Sequence, residues 1–162
     1  MIYFLDTEFS ENGVTIEPIS LALVTLHGDS LYMEFEHDPS TCNEWVKANV
    51  LTKLCWPAEQ RLTRNQAAAN VLDFVGGDLE PEFWAHFGSY DWVMLCQLFG
   101  RMVDLPKLFP MAVMDTRQLR KSLGLSSSDE RPPEPDGAHN ALTDAIWTRD
   151  YYLNLKRRAA ML

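Results

Sequence analysis

The sequence predicts an α/β fold in which a mixed β-sheet is flanked by helices. Three segments with strand character come first, and short apolar segments then alternate with segments of helical periodicity. The chain has 162 residues and is 46% hydrophobic, which suits one ordinary domain with a buried core. We therefore expect a single domain over residues 1–162.

The N-terminal part of the chain supplies the antiparallel strands. Residues 1–5 are a short aliphatic and aromatic run, typical of a strand that is buried on both faces. Residues 14–26 and 31–36 are the next two strands, and the break at 27–29 is short enough for a hairpin. Pro18 lies early in the second strand, where an edge or a β-bulge accommodates a residue without an N–H.

The rest of the chain alternates helices and strands. Apolar residues at helical spacing predict one helix over 43–54, and Asn65 caps the next helix. The further expected elements are a helix at 65–75, a strand at 82–87, a helix at 90–99, a strand at 111–114, helices at 116–123 and 140–156, and a Ser/Pro-rich loop at 126–138.

Composition argues against several classes of protein. No apolar run approaches the roughly 20 residues of a membrane span, and Asp6 and Glu8 come too early for a signal peptide. Three cysteines without a CxxC motif predict reduced thiols rather than a zinc site or a disulfide framework. We therefore expect a cytoplasmic protein with no membrane partner.

The net charge is −9, from 14 basic and 23 acidic residues. By itself this charge argues against a nucleic-acid surface, because Lys and Arg supply most of the affinity for phosphates. Divalent cations held by a carboxylate cluster would remove the objection, because their charge would lie at the substrate phosphate. A function on nucleic acid therefore requires a cluster of carboxylates that holds divalent cations.

Asp6 and Glu8 are the first candidate pair. Residues i and i+2 of a strand point to one face, so both carboxylates project together from the end of the first strand. They repel each other unless a positive charge lies between them, and hard dications prefer such oxygen ligands. Two surface acids at the end of a strand are the alternative, because the DxE pattern is common.

Asp91 begins a helical stripe that is otherwise apolar and continues through Met94, Leu95 and Leu98. A carboxylate in this position points toward the interior, and burying it without a partner costs several kcal/mol. The alternative is an acid at a helix N-terminus, which the helix dipole stabilises.

His139 and Asp144 are the third element. They lie five residues apart, about 140° around a helix, so they cannot share one helical face. If Asn140 caps the helix, His139 lies on the preceding loop and Asp144 in the first turn, and both reach one site. A histidine with a pKa near 6.5 can take a proton from water. An exposed loop histidine with an incidental aspartate is the alternative.

In this order, Asp6-x-Glu8, Asp91 in SYDWVML and His139-x₄-Asp144 in HNALTDA resemble the motifs of the DEDDh 3′-5′ exonucleases. That superfamily includes RNase T, oligoribonuclease and the proofreading subunit of bacterial DNA polymerase. The segments DTEFSENG, WVKANVLTKL and GSYDWVMLCQLFG look most like the short mycobacterial-type exoribonucleases, the polyadenylate-specific 3′-exoribonuclease AS family. The second motif departs from the Asn-rich, Phe-Asp pattern of proofreading enzymes, which argues against DNA proofreading.

The resemblance implies a ribonuclease H-like fold and hydrolysis with two Mg²⁺ ions, for which Mn²⁺ would substitute. Asp6, Glu8 and Asp144 would hold one ion. Asp6 would bridge to the second, Asp91 would complete the site, and His139 would take a proton from the attacking water. The expected substrate is single-stranded RNA or a 3′ overhang, and the products are nucleoside 5′-monophosphates. Relatives are often dimers, so a homodimer is a further expectation.

Four further residues are candidates for substrate binding. His86 lies in the predicted strand at 82–87, close to the second motif. Phe9 and Trp92 each follow a candidate metal ligand. For each ring, stacking on a base and packing in the core are equal alternatives. A bend at the strand end would bring Phe9 to the terminal base and a backbone N–H of Thr7 or Glu8 to the 3′-hydroxyl.

Two other functions stay open. The nearest is a DNA 3′-5′ exonuclease of the same superfamily. The other is a catalytically silent RNase H-like module that binds nucleic acid or a partner. The intact set of five motif residues argues against silence, because a decayed site would be expected to lose at least one of them.

Overall fold

The computed structural model describes residues 1–126 and 131–161. Its centre is a five-stranded sheet in the order β3-β2-β1-β4-β5, in which β1 to β3 are antiparallel and β4 and β5 run parallel to β1. The strands are β1 Ile2–Glu11, β2 Ile16–Thr25, β3 Ser30–Glu34, β4 Glu82–Ala85 and β5 Met114–Asp115. The mixed sheet flanked by helices that the sequence predicts is confirmed.

Five α-helices and several 3₁₀ turns accompany the sheet among the described residues. The helices are α1 Glu44–Asn49, α2 Arg64–Val75, α3 Ser89–Leu98, α4 Thr116–Ser122 and α5 Ala141–Ala159. None of these described helices has the length and the apolar character needed to cross a membrane. The three cysteines are free.

Two hydrophobic cores lie on opposite faces of the sheet. Tyr3 and Leu5 of β1 pack with residues of α2 and α3, whereas Phe4 packs on the other face with residues of α5. This division follows from the alternation of side chains along a strand. As a result, α3 and α5 cover opposite faces of β1, and both contribute to the site around Asp6 and Glu8.

The first strand is longer than the sequence predicts and contains an irregularity. It continues through Glu11, and its pairing with β2 shifts between Glu8, opposite Ser20, and Phe9, opposite Pro18. Ile19 is the extra residue, so Pro18 adjoins a β-bulge, one of the two positions expected for it. The two acids, which the sequence predicts at the end of the first strand, therefore lie inside it, just before the bulge.

The helix predicted over 43–54 is wrong in its second half. The α1 helix ends at Asn49, whose side-chain amide donates to the Trp45 carbonyl at 2.9 Å, and a 3₁₀ turn at Leu51–Lys53 follows. Asparagine is a weak helix former because its side chain competes for backbone groups. Lys53, at the end of this 3₁₀ turn, contacts Ala138 and Asn140.

Other boundaries also differ from the sequence prediction. The cap of α2 is Thr63 rather than Asn65, because the Thr63 side chain accepts a hydrogen bond from the Gln66 N–H. The strand expected at 82–87 ends at Ala85, because Phe87 has a φ of 63° that no strand accommodates. The strand expected at 111–114 is Met114–Asp115, and the last helix continues to Ala159. Part of the Ser/Pro-rich loop, residues 127–130, lies outside the described residues.

Candidate active site

Asp6 and Glu8 lie on the face of β1 that α5 covers, as their spacing predicts. Burial raises the pKa of Asp6 well above its usual range, and the nearby charges of Asp91, Glu8 and Asp144 raise it further. Burial also raises the pKa of Glu8 to about 8, with Asp144 and Asp91 contributing and Lys53 opposing. The acids of the three motifs therefore lie close enough to repel one another.

Asp91 reaches this cluster from the opposite face of the sheet. It lies in the first turn of α3, and its Oδ1 accepts hydrogen bonds from the Thr7 N–H at 2.8 Å and the Thr7 hydroxyl at 2.7 Å. Burial raises the pKa of Asp91 to about 6, although both hydrogen bonds oppose the shift. The Thr7 N–H therefore donates to Asp91. The expectation that this N–H meets a 3′-hydroxyl is wrong.

The third motif has the local geometry that the sequence predicts. Asn140 caps α5 by accepting a hydrogen bond from the Thr143 N–H at 3.2 Å. His139 precedes the cap with a φ of 67°, and its N–H donates to Asp144 Oδ2 at 2.8 Å. Burial raises the pKa of Asp144, and this hydrogen bond opposes the rise.

A metal-ligand geometry results from these contacts. Among the residues that the structure describes, Glu8, His139 and Asp144 each offer a ligand atom, and these atoms lie within 4.8 Å of one another. Asp6 lines the same cavity as His139 and Asp144. An acidic and histidine site that could hold a metal ion is therefore present beside the middle of β1.

Lys53 belongs to this site although the sequence does not indicate it. Its Nζ donates to the carbonyl of Ala138, and its own carbonyl accepts from the Asn140 side chain at 3.5 Å. Its charge lowers the pKa of both Glu8 and Asp144. The residue lies in WVKANVLTKL, a segment that carries the family resemblance, but no spacing rule connects residues 85 positions apart.

Two neighbours support the Lys53 segment and His139. The buried carboxylate of Glu34 accepts hydrogen bonds from the backbone N–H groups of Cys55 at 2.6 Å and Trp56 at 3.1 Å. The Trp45 ring meets the His139 ring edge-on, with centroids 4.9 Å apart. The loop that carries His139 is therefore held from the side of α1 as well as by α5.

The structure separates the four candidates for substrate binding. Phe9, the residue after Glu8, stacks on the half-exposed Tyr90, with ring centroids 5.4 Å apart. Trp92 is 7% exposed and packs in the core against Phe83, so core packing is its observed role and its ring is not available to a base. Thr7 supports Asp91.

His86 lies at a cavity of about 320 Å³ that adjoins the acids. Its Nδ1 is 2.8 Å from the Thr116 hydroxyl, and its ring meets the Trp147 ring edge-on. The cavity is lined by Asp6, His86, Phe87, Arg131, Glu134, Pro135, Ala138, His139, Asp144, Trp147 and Thr148. Acidic and basic side chains thus share one cavity.

Comparisons with known proteins show the family of this chain. The model of the 3′-5′ exoribonuclease Rv2179c-like domain family matches residues 1–155, and the chain belongs to this family. The chain is 41% identical over 149 residues to the 3′-5′ exoribonuclease Rv2179c of Mycobacterium tuberculosis strain H37Rv, covering 90% of this chain and 87% of that protein. The resemblance drawn from the motifs is confirmed.

Solved structures show the same architecture at low sequence identity. A full-length 3′-exonuclease is similar with a TM-score of 0.58 and 15% identity, over 99% of this chain and 83% of that one. A 3′-exonuclease described in the 3′-end-specific recognition of histone mRNA stem-loop is similar with a TM-score of 0.57 and 14% identity, over 97% and 81% of the two chains. The fold is therefore ribonuclease H-like, as the resemblance implies.

Proposed function

We propose that this protein is a metal-dependent 3′-5′ exoribonuclease of the DEDDh type. Its substrate would be single-stranded RNA or a 3′ overhang, and its products nucleoside 5′-monophosphates. The observation that carries the proposal is the convergence of five side chains from three separate parts of the chain beside the middle of β1, namely Asp6, Glu8, Asp91, His139 and Asp144.

The donor set fits a divalent cation. Carboxylates whose pKa values are raised by burial and, in addition, by mutual repulsion are stabilised by a bound dication. Asp6, Glu8 and Asp144 would hold one ion, and Asp6 with Asp91 a second. Oxygen-rich ligation favours Mg²⁺, with Mn²⁺ as a substitute. When bound, two such ions stabilise the attacking and leaving oxygens of an in-line displacement at phosphorus.

The protein's own groups supply position and proton transfer. His139 is held beside Asp144 by its backbone N–H, so its imidazole can take a proton from the attacking water. Thr7 holds Asp91 through two hydrogen bonds. The ring of Phe9 lies beside Glu8 and would meet the terminal base, while the Glu8 carboxylate repels a 3′-phosphate.

RNA is favoured over DNA by the family. The relative with 41% identity is named a 3′-5′ exoribonuclease, and the alignment covers 90% of this chain. A silent binding module is disfavoured because all the acids of the three motifs are present and lie together. DNA trimming is the second outcome that the assay below distinguishes.

The test uses a 5′-labelled ten-nucleotide RNA and a DNA of the same sequence. Wild-type protein with Mg²⁺ or Mn²⁺ should shorten the RNA one nucleotide at a time, and EDTA should abolish this activity. Asp6→Asn should be folded and inactive, whereas Asp73→Asn, a change at an exposed position of α2, should be fully active. Full RNA hydrolysis in thorough chelation, or by Asp6→Asn, would contradict the proposal. Faster hydrolysis of DNA than of RNA would establish the DNA exonuclease instead.

A further inference from the structure

The acid site lies at one end of a longer edge of the sheet. Strands β1, β4 and β5 are parallel neighbours, and β4 pairs with β1 only at Ile2–Phe4, so the acids of β1 come just beyond the carboxyl ends of β4 and β5. Ligands of α/β sheets bind at such edges. Beside the acids of β1, this edge carries the turn after β4, which includes His86 and Phe87, and the start of α4 after β5, which includes Arg117.

Phe87 has an unusual conformation in this turn. Its φ is 63°, a left-handed value that is a rare outlier for a bulky residue, and its side chain is 61% exposed. The turn is tight, because a Cβ on Gly88 would lie 2.5 Å from the Ala85 Cβ. Backbone strain of this kind concentrates at ligand-binding sites, and burial of the ring does not offset it here.

Two guanidinium groups lie against aromatic rings near the turn after β4. Arg117 lies 3.9 Å over the Phe87 ring, and Arg131 lies 5.4 Å from the Trp147 ring centroid. Burial lowers the pKa of His86 to about 4, with Arg131 and Arg117 lowering it further and Asp115 opposing. A chain with a net charge of −9 thus places positive charge beside its acid site.

We infer that Phe87, Arg117, Arg131 and Trp147, the upstream surface, bind the nucleotides immediately 5′ to the scissile phosphate of single-stranded RNA. Phe87, Arg131 and Trp147 line the same cavity as Asp6 and His139, so a strand whose phosphate lies at the acids continues across them. Aromatic rings that stack on bases, combined with Arg groups that meet phosphates, are the usual means of binding a single strand without sequence preference. The inference rests on the proposed function.

Its occupant follows from the elements that carry the two aromatic groups. Phe9 is the residue after Glu8 on β1 and stacks on Tyr90, and the terminal nucleotide would lie against this pair. The upstream surface lies toward β4 and β5, so it would take the part of the strand that remains bound after each cleavage. An enzyme with such a surface hydrolyses longer single strands more efficiently than very short ones.

The experiment compares two substrates. Uridine 5′-(p-nitrophenyl phosphate) has no upstream nucleotide, and a ten-nucleotide RNA occupies the whole surface. Phe87→Gly and Arg117→Gln should each raise KM for the RNA about 5- to 100-fold, the loss typical of one base stack, while their effect on the small substrate is at least fivefold smaller. Arg157→Gln removes the same charge near the end of α5 and should affect neither substrate.

Salt dependence gives a second measurement. Loss of one phosphate contact in Arg117→Gln should reduce the slope of log Kd against log salt by about 0.7, measured by anisotropy of labelled RNA on an Asp6→Asn background. Phe87→Gly should melt no lower than wild type, because glycine relieves the strained backbone. Equal losses on both substrates, or an unchanged Kd for RNA in both variants, would overturn the upstream surface.

The two proposals fail differently. If wild-type protein hydrolyses neither substrate, the proposed function is wrong, and the anisotropy of wild-type protein and the two variants then decides the upstream surface. If wild-type protein hydrolyses both substrates and the variants match it on RNA, the proposed function stands and the upstream surface is wrong.

Discussion

Replacing Glu8 with glutamine should stabilise the metal-free protein at alkaline pH while abolishing RNA hydrolysis. Burial, followed by the charges of Asp144 and Asp91, raises the pKa of Glu8 from its ordinary 4.5 to about 8. The ionised carboxylate therefore disfavours the folded state, and the variant removes that charge with little change in shape. In the metal-bound protein the same carboxylate is a ligand, so its loss removes activity.

The sign and size of the effect follow from proton linkage. An acid whose pKa is raised by folding costs nothing below pH 4.5. Its cost grows as the pH rises from 4.5 to about 8, because the unfolded chain releases the proton first. A rise of this size corresponds to roughly 5 kcal/mol at pH 9, and remaining solvent contact together with coupling to the other acids reduces it to about 2 kcal/mol.

Urea unfolding in EDTA at pH 5 and pH 9 measures this effect. Glu8→Gln should exceed wild type by about 2 kcal/mol in free energy of unfolding at pH 9 and match it at pH 5. Glu59→Gln, at an exposed position, should match wild type at both values. Saturating Mg²⁺ should stabilise wild type more than the variant. A variant that is less stable than wild type at both pH values would show that Glu8 is structural and refute the reasoning.

Three further outcomes are expected. His139→Ala should lower kcat by about 10² to 10⁴-fold with nearly unchanged affinity for RNA. The control His27→Ala, in the exposed hairpin, should match wild type. Equal kcat in both variants would exclude His139 as the base. Burial lowers the pKa of His86 to about 4, so the wild-type protein should lose stability as the pH falls from 6.5 to 4. In urea unfolding this loss should exceed that of His86→Gln by about 1 to 2 kcal/mol. Parallel pH profiles of the two proteins would contradict burial as the cause. RNA that ends in a 3′-phosphate and circular RNA should resist hydrolysis in gel assays, and trimming of either at the rate of a 3′-hydroxyl end would contradict the roles of Glu8 and Phe9.

Local patterns in the sequence predict most of the fold. Alternation and hairpin spacing identify the three antiparallel strands, and Asn140 caps α5 as expected because a cap depends only on residues a few positions away. The bulge at Pro18 follows from its missing N–H. The boundary errors at Asn49 and Phe87 arise where side-chain hydrogen bonding and a left-handed backbone override periodicity.

The order of the acidic motifs along the chain likewise indicates the candidate site. Asp6 and Glu8 share a face because strand side chains alternate, and His139 precedes a cap that turns Asp144 toward it. The sequence by itself therefore determined the fold class, the family resemblance and the five motif residues. Each of these depends on residue types at short spacings along the chain.

Only the tertiary structure decided which distant groups complete the site. Thr7 supports Asp91 from 84 residues away, and Lys53 reaches the His139 loop from a separate segment. Trp92 packs inward because α3 turns its ring toward Phe83. Contacts of this kind depend on how helices pack across the sheet, and no periodicity or spacing in a single sequence encodes that packing.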